Sequence, residues 1–129
     1  MESRRNMVGW FEIPVTDMTR AIKFYETFLN IKISRQQFGP LEMGLFPGNP
    51  DSPGSSGSLS HFPDMYKPAQ EGVLVYFSSR TGDLNDELSR VEKAGGRVLM
   101  EKKEISEENG FMALLLDTEG NRVAIHSRS

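Results

Sequence analysis

Of the side chains in this sequence that can move a proton, Glu12 and His126 sit on alternating apolar stretches. In Trp10-Phe11-Glu12-Ile13-Pro14-Val15 the residues Phe11, Ile13 and Val15 share one face of a strand, and Trp10, Glu12 and Pro14 share the other. A core has to take Phe11 and Ile13, so Glu12 is forced to the opposite face, between an indole and a proline. Desolvation there favours the neutral acid, the condition in which a carboxyl serves as general acid or base near neutral pH. His126 closes a second alternating stretch, Arg122-Val123-Ala124-Ile125-His126, where its imidazole can orient a ligand or exchange a proton with Glu12. The other histidine, His61, has the opposite parity to Ser58 and Ser60 and reads as structural or solvated.

Several chemistries are excluded by what the chain lacks. It has no cysteine, which removes disulfides, thiolate nucleophiles, Cys-ligated zinc and iron–sulfur clusters. No serine, Ser127 included, has an adjacent histidine-plus-carboxylate arrangement, so no hydrolase triad is read. Gly95-Gly96 ends a helical pattern where an anion-binding loop would begin one. A net charge of −3, without a basic cluster interleaved with aromatics, argues against a nucleic-acid surface. The longest apolar run, Phe111–Leu116, is too short for a bilayer. No secretory signal is visible, and the expected location is cytoplasmic. With 129 residues, 37% hydrophobic and 26% charged, the composition is that of one globular domain, expected over 1–129.

The elements that must position these residues come as a repeat. After the first strand, Thr16 and Asp17 offer helix N-caps, and Met18, Ala21, Ile22, Tyr25, Phe28 and Leu29 recur at helical spacing. Asn30 is a left-handed stop, and a strand begins at Ile31. Val73–Phe77 is again a strand, Asp83 again a cap, and Leu84, Leu88 and Val91 again a helical stripe ending at Gly96. Asp17 to Asn30 and Asp83 to Gly96 are equal intervals, which makes the shared pattern stronger than either copy alone. The spacing predicts two β-α-β-β-β modules, over about 7–61 and 72–127, with a linker over about 62–71. Strands are expected at Ile31–Gln37, Leu41–Phe46, Ser58–His61, Arg97–Met100, Phe111–Leu116 and Arg122–His126. Residues 1–6 are expected to fray, 47–57 to form a Pro/Gly/Ser loop, and the charged Glu101–Asn109 to be a solvated connection.

Three runs then carry a resemblance: PVTDMTRAIKFYETFL at Pro14–Leu29, AGGRVL at Ala94–Leu99 and LDTEGNRVAIHS at Leu116–Ser127. Together they resemble the vicinal oxygen chelate superfamily of glyoxalases, bleomycin-resistance proteins and extradiol dioxygenases, over nearly the whole chain. The sequence is most similar to small bacterial glyoxalase-like proteins. The resemblance implies an α+β fold: two tandem β-α-β-β-β modules forming a cupped mixed sheet around a cleft, helices outside. On that fold Phe11, Ile13, Leu74, Tyr76, Val123 and Ile125 face the helices. Trp10, Glu12, Val73, Val75, Phe77, Ala124 and His126 face the cleft, with Ser58, Ser60 and Arg122 beside them.

The same resemblance implies where metal ligands would stand: Trp10, Val73 and Ala124, with a fourth near Ser58 or Ser60. None of the first three side chains binds a divalent cation, so no metal and no other cofactor is expected. Trp10 either fills the metal's space or stacks on a planar ligand. The implied function is binding of a small organic molecule. If catalytic, the chain is a lyase or isomerase in which Glu12 abstracts a proton, with His126 assisting. One alternative is a non-catalytic sequestering protein of the bleomycin-resistance kind. The other is a metal-dependent glyoxalase I-like lyase with relocated ligands such as Glu12, His126 and Glu42. The expected partners are that small molecule and a second copy in a homodimer, with no nucleic acid and no membrane.

Overall fold

Strand β1 (Trp10–Pro14) realises the alternation on which the sequence turns. Phe11 packs toward Phe46 and Phe77 and Ile13 is buried, while Trp10 is 46% exposed on the other face. These features belong to a computed structural model that describes residues 6–49 and 51–129. The expected fraying of residues 1–5 and position 50 of the expected loop lie outside the described residues.

Helix α1 (Met18–Leu29) starts where Asp17 accepts from the backbone N–H of Arg20 at 3.0 Å, satisfying one of the donors that a helix start leaves open. It stops at Asn30, whose φ of 56° is the left-handed conformation that Asn tolerates. Strands β2 (Ser34–Phe38), β3 (Leu41–Leu45) and β4 (Ser56–His61) complete the first module, in the sheet order β1-β4-β3-β2. The second module repeats it: β5 (Tyr76–Ser78), α2 (Asn85–Leu88), β6 (Arg97–Ser106), β7 (Gly110–Leu116) and β8 (Arg122–Ser127), ordered β5-β8-β7-β6. In each sheet the first strand pairs parallel with the last and the other pairs are antiparallel, so both sheets are mixed and the fold is α+β.

The two modules share one core. Tyr25 and Phe28 of α1 meet Phe77 of β5 at ring separations of 5.7 and 6.4 Å, and Phe11 meets Phe77 edge-on at 5.9 Å. Arg90, just past α2, donates from Nε to the carbonyls of Thr27 and Phe28 at 3.0 and 3.2 Å, using acceptors that the end of α1 leaves free. Gly96 lets Phe24 of α1 lie against the start of β6, since a Cβ there would sit 2.5 Å from the Phe24 ring and from the Leu116 carbonyl oxygen.

Three expectations are corrected. The strand expected at Val73–Phe77 begins only at Tyr76, and Phe77 lies beside Ile125 in the register. Phe77 therefore faces the helices and Tyr76, 50% exposed, faces away, the reverse of the expected parity. A one-residue slip of this kind turns every side chain over. Next, α2 is a single turn rather than a match for α1. After it, Arg90 and Val91 donate to the carbonyls of Glu87 and Leu88, three residues back, and Ser89 Oγ bonds the Asp86 carbonyl. Such tightened bonding and local side-chain competition end a helix. The stripe itself survives, with Leu84, Leu88 and Val91 all buried. Lastly, the charged segment from Glu101 to Ser106 is strand, not connection: it continues β6 along the sheet edge with register shifts, where charge and irregularity are tolerated.

Candidate functional site

The helix-free face of β1 meets β8 where Asn121 donates from Nδ2 to the Pro14 carbonyl at 2.7 Å. The segment between the modules is laced along β8 at this point. Ala69 N–H donates to Asn121 Oδ1 at 3.0 Å, and Ala124 N–H donates to the Val75 carbonyl at 2.9 Å. Asn121 is itself fixed by Asp117, whose carboxylate also accepts the Tyr25 hydroxyl at 2.6 Å. Burial first, and then the Asp117 charge, push the Tyr25 phenol well above its usual range, so it remains a donor. This buried scaffold closes a pocket of about 190 Å³. Glu12, Val73, Val75 and Arg122 line it, as do Lys67 and Glu71 from the connecting segment.

Glu12 is half-buried and is not short of polar company. Its Oε1 accepts the Tyr66 hydroxyl at 2.6 Å and its Oε2 accepts the Trp10 indole N–H at 3.3 Å. The isolation on which the desolvation argument rested is therefore absent. Donating its proton to Glu12 holds the Tyr66 phenol above its usual range. Tyr66 lies in the aperiodic segment after β4, and no sequence signal marked it; Asn121 had registered only as a turn residue.

Arg122 is the polar group with an unmet need. Its Nη2 reaches only the Gly72 carbonyl, at 3.3 Å, and its Nε is buried without a hydrogen-bond partner among the described residues. No carboxylate among the described residues lies within ion-pair distance of it, Glu12 and Glu71 included. A buried unpaired donor costs about 1–3 kcal/mol.

The other expected cleft residues divide by position. Ser58 and Ser60 are fully buried beside Glu12 and Pro14 in the β1–β4 register, and their hydroxyls bond each other at 3.1 Å. Ala124 is fully buried between Tyr76 and Leu114. Phe77 is a core residue, as described. His126 stands four residues along β8 from Arg122, roughly 13 Å at strand rise, and its Nε2 is 2.6 Å from the Asn109 carbonyl oxygen. It does not line the pocket. His61, as expected, is structural: its Nδ1 bonds the Val15 carbonyl at 3.0 Å.

The residues do not fit a divalent metal. Tyr76 precedes Asp83 by the count at which Trp10 precedes Asp17, so Tyr76 rather than Val73 is the second-module counterpart of Trp10. Trp10 pairs with Ser56 and Tyr76 with Ala124, a set of indole, hydroxyl, phenol and methyl. The relocated set is not assembled either. Glu42 is paired with Arg35 near Thr19 of α1, His126 is bound to Asn109, and no group of three or more acidic or histidine side chains among the described residues converges. No helix among them is long and apolar enough to cross a membrane.

Comparison with known proteins places this geometry. The chain superposes on an antibiotic binding protein from a Streptomyces species (TM-score 0.69, 22% identity, 99% of this chain and 100% of that one). It also superposes on a glyoxalase/bleomycin resistance protein from Albidiferax ferrireducens (TM-score 0.68, 17% identity, 96% and 100%). Glyoxalase I from Zea mays matches over 92% of this chain at a TM-score of 0.69 and 18% identity, but the chain spans only 45% of the maize protein. At such identities these likenesses establish the fold. No curated protein matches the sequence. The model of the Glyoxalase/Bleomycin resistance protein/Dioxygenase superfamily matches residues 7–125, and the chain belongs to that superfamily.

Proposed function

We propose that this chain binds a small organic molecule, without a metal, in the pocket between β1 and the segment laced along β8. The observation that carries the reading is the meeting of Glu12 and Arg122, from different modules, on one apolar-walled cavity of about 190 Å³. Pockets of this kind combine apolar walls with a few placed polar groups. The volume is below the range usual for drug-sized ligands, roughly 300–1,000 Å³. A bleomycin-resistance type of sequestration follows if nothing reacts there. The superposition on an antibiotic binding protein supports that reading at the level of fold.

A second reading keeps the chemistry. The short contact between Tyr66 and Glu12 puts a phenolic donor beside a carboxylate at the pocket wall, the pairing that a lyase or isomerase uses to take and return a proton. In that reading Glu12 is the base and Tyr66 holds it in place. His126 has no part in it from its present position.

One experiment orders these readings. Amide chemical-shift mapping against a small-fragment library is expected to move the resonances of Val73, Val75 and Arg122 together. Shifts confined to other surfaces sink the pocket assignment. With a binder in hand, turnover that is present in the native chain and absent in Glu12→Gln selects the catalytic reading, and binding without turnover selects sequestration. Elemental analysis of protein purified without a histidine tag is expected to find well under one equivalent of zinc, nickel or manganese. About one tightly held ion per chain revives a metal-dependent lyase.

The chain is also proposed to work as a homodimer with an isologous interface. Supporting this, Trp10, Phe38 and Tyr76 are 46%, 52% and 50% exposed on sheet faces turned away from the helices. They stand on the two edge strands of the first sheet and on one strand of the second, so they are separate candidate contact points and not one continuous patch. Light scattering that gives a monomer at tens of micromolar counts against it.

A further inference from the structure

The pocket's polar groups are unequally provided for, and the inequality points to a ligand class. Glu12 already accepts from Tyr66 and Trp10, and Lys67 Nζ reaches the Pro63 carbonyl at 3.3 Å. Arg122 has one long contact and a buried Nε with no acceptor among the described residues. A guanidinium presents a planar fork that matches a carboxylate with two parallel hydrogen bonds. Here the fork is turned so that Nε is covered. Docking a carboxylate on Nε and Nη2 together requires the side chain to turn toward the cavity, and that turn would relieve the unmet donor. An anion in the pocket rewards that rotation; a neutral guest does not.

The remaining charges set limits on the guest. Lys67 and Arg122 are balanced by Glu12 and Glu71 on the pocket wall. A dianion would meet two carboxylates, whereas a single carboxylate placed on Arg122 leaves the far end of the guest facing Glu12, which accepts hydrogen bonds and cannot donate them while ionised. Between the two ends the walls are apolar, with Ile13, Val73, Val75 and Val123 among them.

Resting on the pocket assignment above, we propose that the site takes a small monocarboxylate that carries a hydroxyl at its other end. The carboxylate docks on Arg122, the hydroxyl donates to Glu12, and a short apolar body spans the walls. Selectivity for such acids over their esters and over diacids is then built into the two modules jointly, because β8 supplies the fork and β1 the acceptor.

The test uses 3-hydroxybenzoate, its methyl ester and 3-hydroxybenzyl alcohol as probes, titrated against the full chain by amide chemical shifts and calorimetry. The acid is expected to bind at Val73 and Val75 at least about tenfold more tightly than the ester or the alcohol. Arg122→Gln is expected to remove that preference, and Arg122→Lys, which keeps the charge but not the fork, to retain part of it. A denaturation curve for each variant separates loss of the fork from loss of the fold; Arg122→Lys serves if Arg122→Gln is unfolded. If the ester and alcohol bind at Val73 and Val75 as tightly as the acid, or Arg122→Gln keeps the acid's advantage, the carboxylate assignment falls and the pocket assignment stands. If no probe at about 10 mM, a concentration that detects even very weak binding, moves those resonances, both fall.

Discussion

Helices α1 and α2 grow from the same pattern, an aspartate after a strand followed by an apolar stripe, yet Asp17 caps a helix of 12 residues while α2, with Leu84 at its N-cap position and no side-chain cap bond there, runs for 4. The stripe of α1 offers Met18, Ala21, Phe24, Tyr25, Phe28 and Leu29 to the core, all buried. That of α2 offers Leu84 and Leu88 and also buries a carboxylate, Glu87, which holds the preceding turn through Ser79 Oγ and the Arg80 N–H. Helices are held mainly by packing of their apolar face, so the poorer stripe supports the shorter helix. The two modules share a topology but not their loads: the first carries most of the aromatic core and Glu12, the second Phe77 and the turn that fastens both. The matched positions of the two modules are the places to break or sharpen this contrast.

The largest effect is expected where the copies' registers were hardest to read. Phe77→Ala should cost about 3 kcal/mol, as for removal of a packed aromatic, because its ring touches Phe11, Tyr25, Phe28 and Phe46. Tyr76→Ala, one residue away on the open face, should stay within about 0.5 kcal/mol. Equilibrium denaturation of the two variants checks the register directly, and the reverse order of effects would overturn it.

Next comes the fastening itself. Glu119, in the β7–β8 turn, has a fully covered side chain that accepts from the N–H groups of Thr16 and Asp17 at 2.9 and 2.8 Å and from Arg20 Nε at 2.7 Å. A carboxylate from the second module thereby caps the helix of the first, at its positive end. Burial opposes its ionisation, but the Arg20 guanidinium and the Thr16 and Asp17 donors outweigh burial and hold it at about 2, against an ordinary 4.5. Glu119→Ala should cost about 2 kcal/mol at neutral pH by stranding those donors. A depressed folded pKa makes the contribution complete above the unfolded value and lost as the pH falls from about 4.5 toward 2. The native chain should therefore lose stability over that window more steeply than Glu119→Ala. Parallel slopes in acid titrations of the two would remove Glu119 from this role.

Much of this was legible locally and little of it at a distance. The Asp17 cap, the Asn30 stop and the parity of β1 are set within a few residues of themselves, and the sequence shows them. The register of β5 was hidden because Val73-Leu74-Val75-Tyr76-Phe77 is apolar throughout and has no alternation to read. Counting back from Asp83, as from Asp17, would have recovered Tyr76. The roles of Glu119, Arg90, Tyr66 and Asn121 depend on partners far along the chain, and no periodicity announces such contacts. Of the candidate site, the sequence points to Glu12, Val73, Val75 and Arg122, and these four line one pocket. The reach of His126 toward Glu12 was not testable by parity, which fixes a face but not a position along it.

The caps give a smaller contrast. Asp17→Ala should cost about 1 kcal/mol, the usual worth of an N-cap side chain. Asp83, expected as the cap of α2, stands one residue before the N-cap position, which Leu84 holds; its carboxylate accepts from the Asn85 N–H at 3.0 Å and from Lys102 Nζ at 2.9 Å, at the surface beside a single turn of helix. Its replacement by alanine should therefore cost less than that of Asp17. The Lys102 contact first, then the Asn85 N–H, holds its carboxyl below the usual range, so what it contributes is lost on acidification. Thermal melts of both variants at neutral pH rank them, and a larger loss at Asp83 would show that α2 depends on its cap more than its length implies.

The smallest effect is spectroscopic and falls on the pair that the two modules do not share. Ser78 stands in β5 where Glu12 stands in β1, so at this position the first module offers a phenol a carboxylate and the second a neutral hydroxyl. Tyr66 donates its proton to Glu12, and that bond, more than the burial that reinforces it, raises its pKa above the ordinary 10.0. Loss of the proton at high pH would leave phenolate facing carboxylate, and the folded state resists this. A raised folded value makes the contribution complete below the ordinary phenol range and lost as the pH climbs through the folded one. Ultraviolet titration should show two tyrosines ionising late, buried Tyr25 the later and Tyr66 the earlier, and Glu12→Gln should return the earlier transition toward 10.0. Tyr66→Phe should remove the earlier of the two late transitions while changing stability by no more than about 0.5 kcal/mol, because the bond lies near solvent. The Tyr25 transition should remain in Tyr66→Phe; if both late transitions remain, neither belongs to Tyr66, and the contact that holds Glu12 in the pocket wall loses its support.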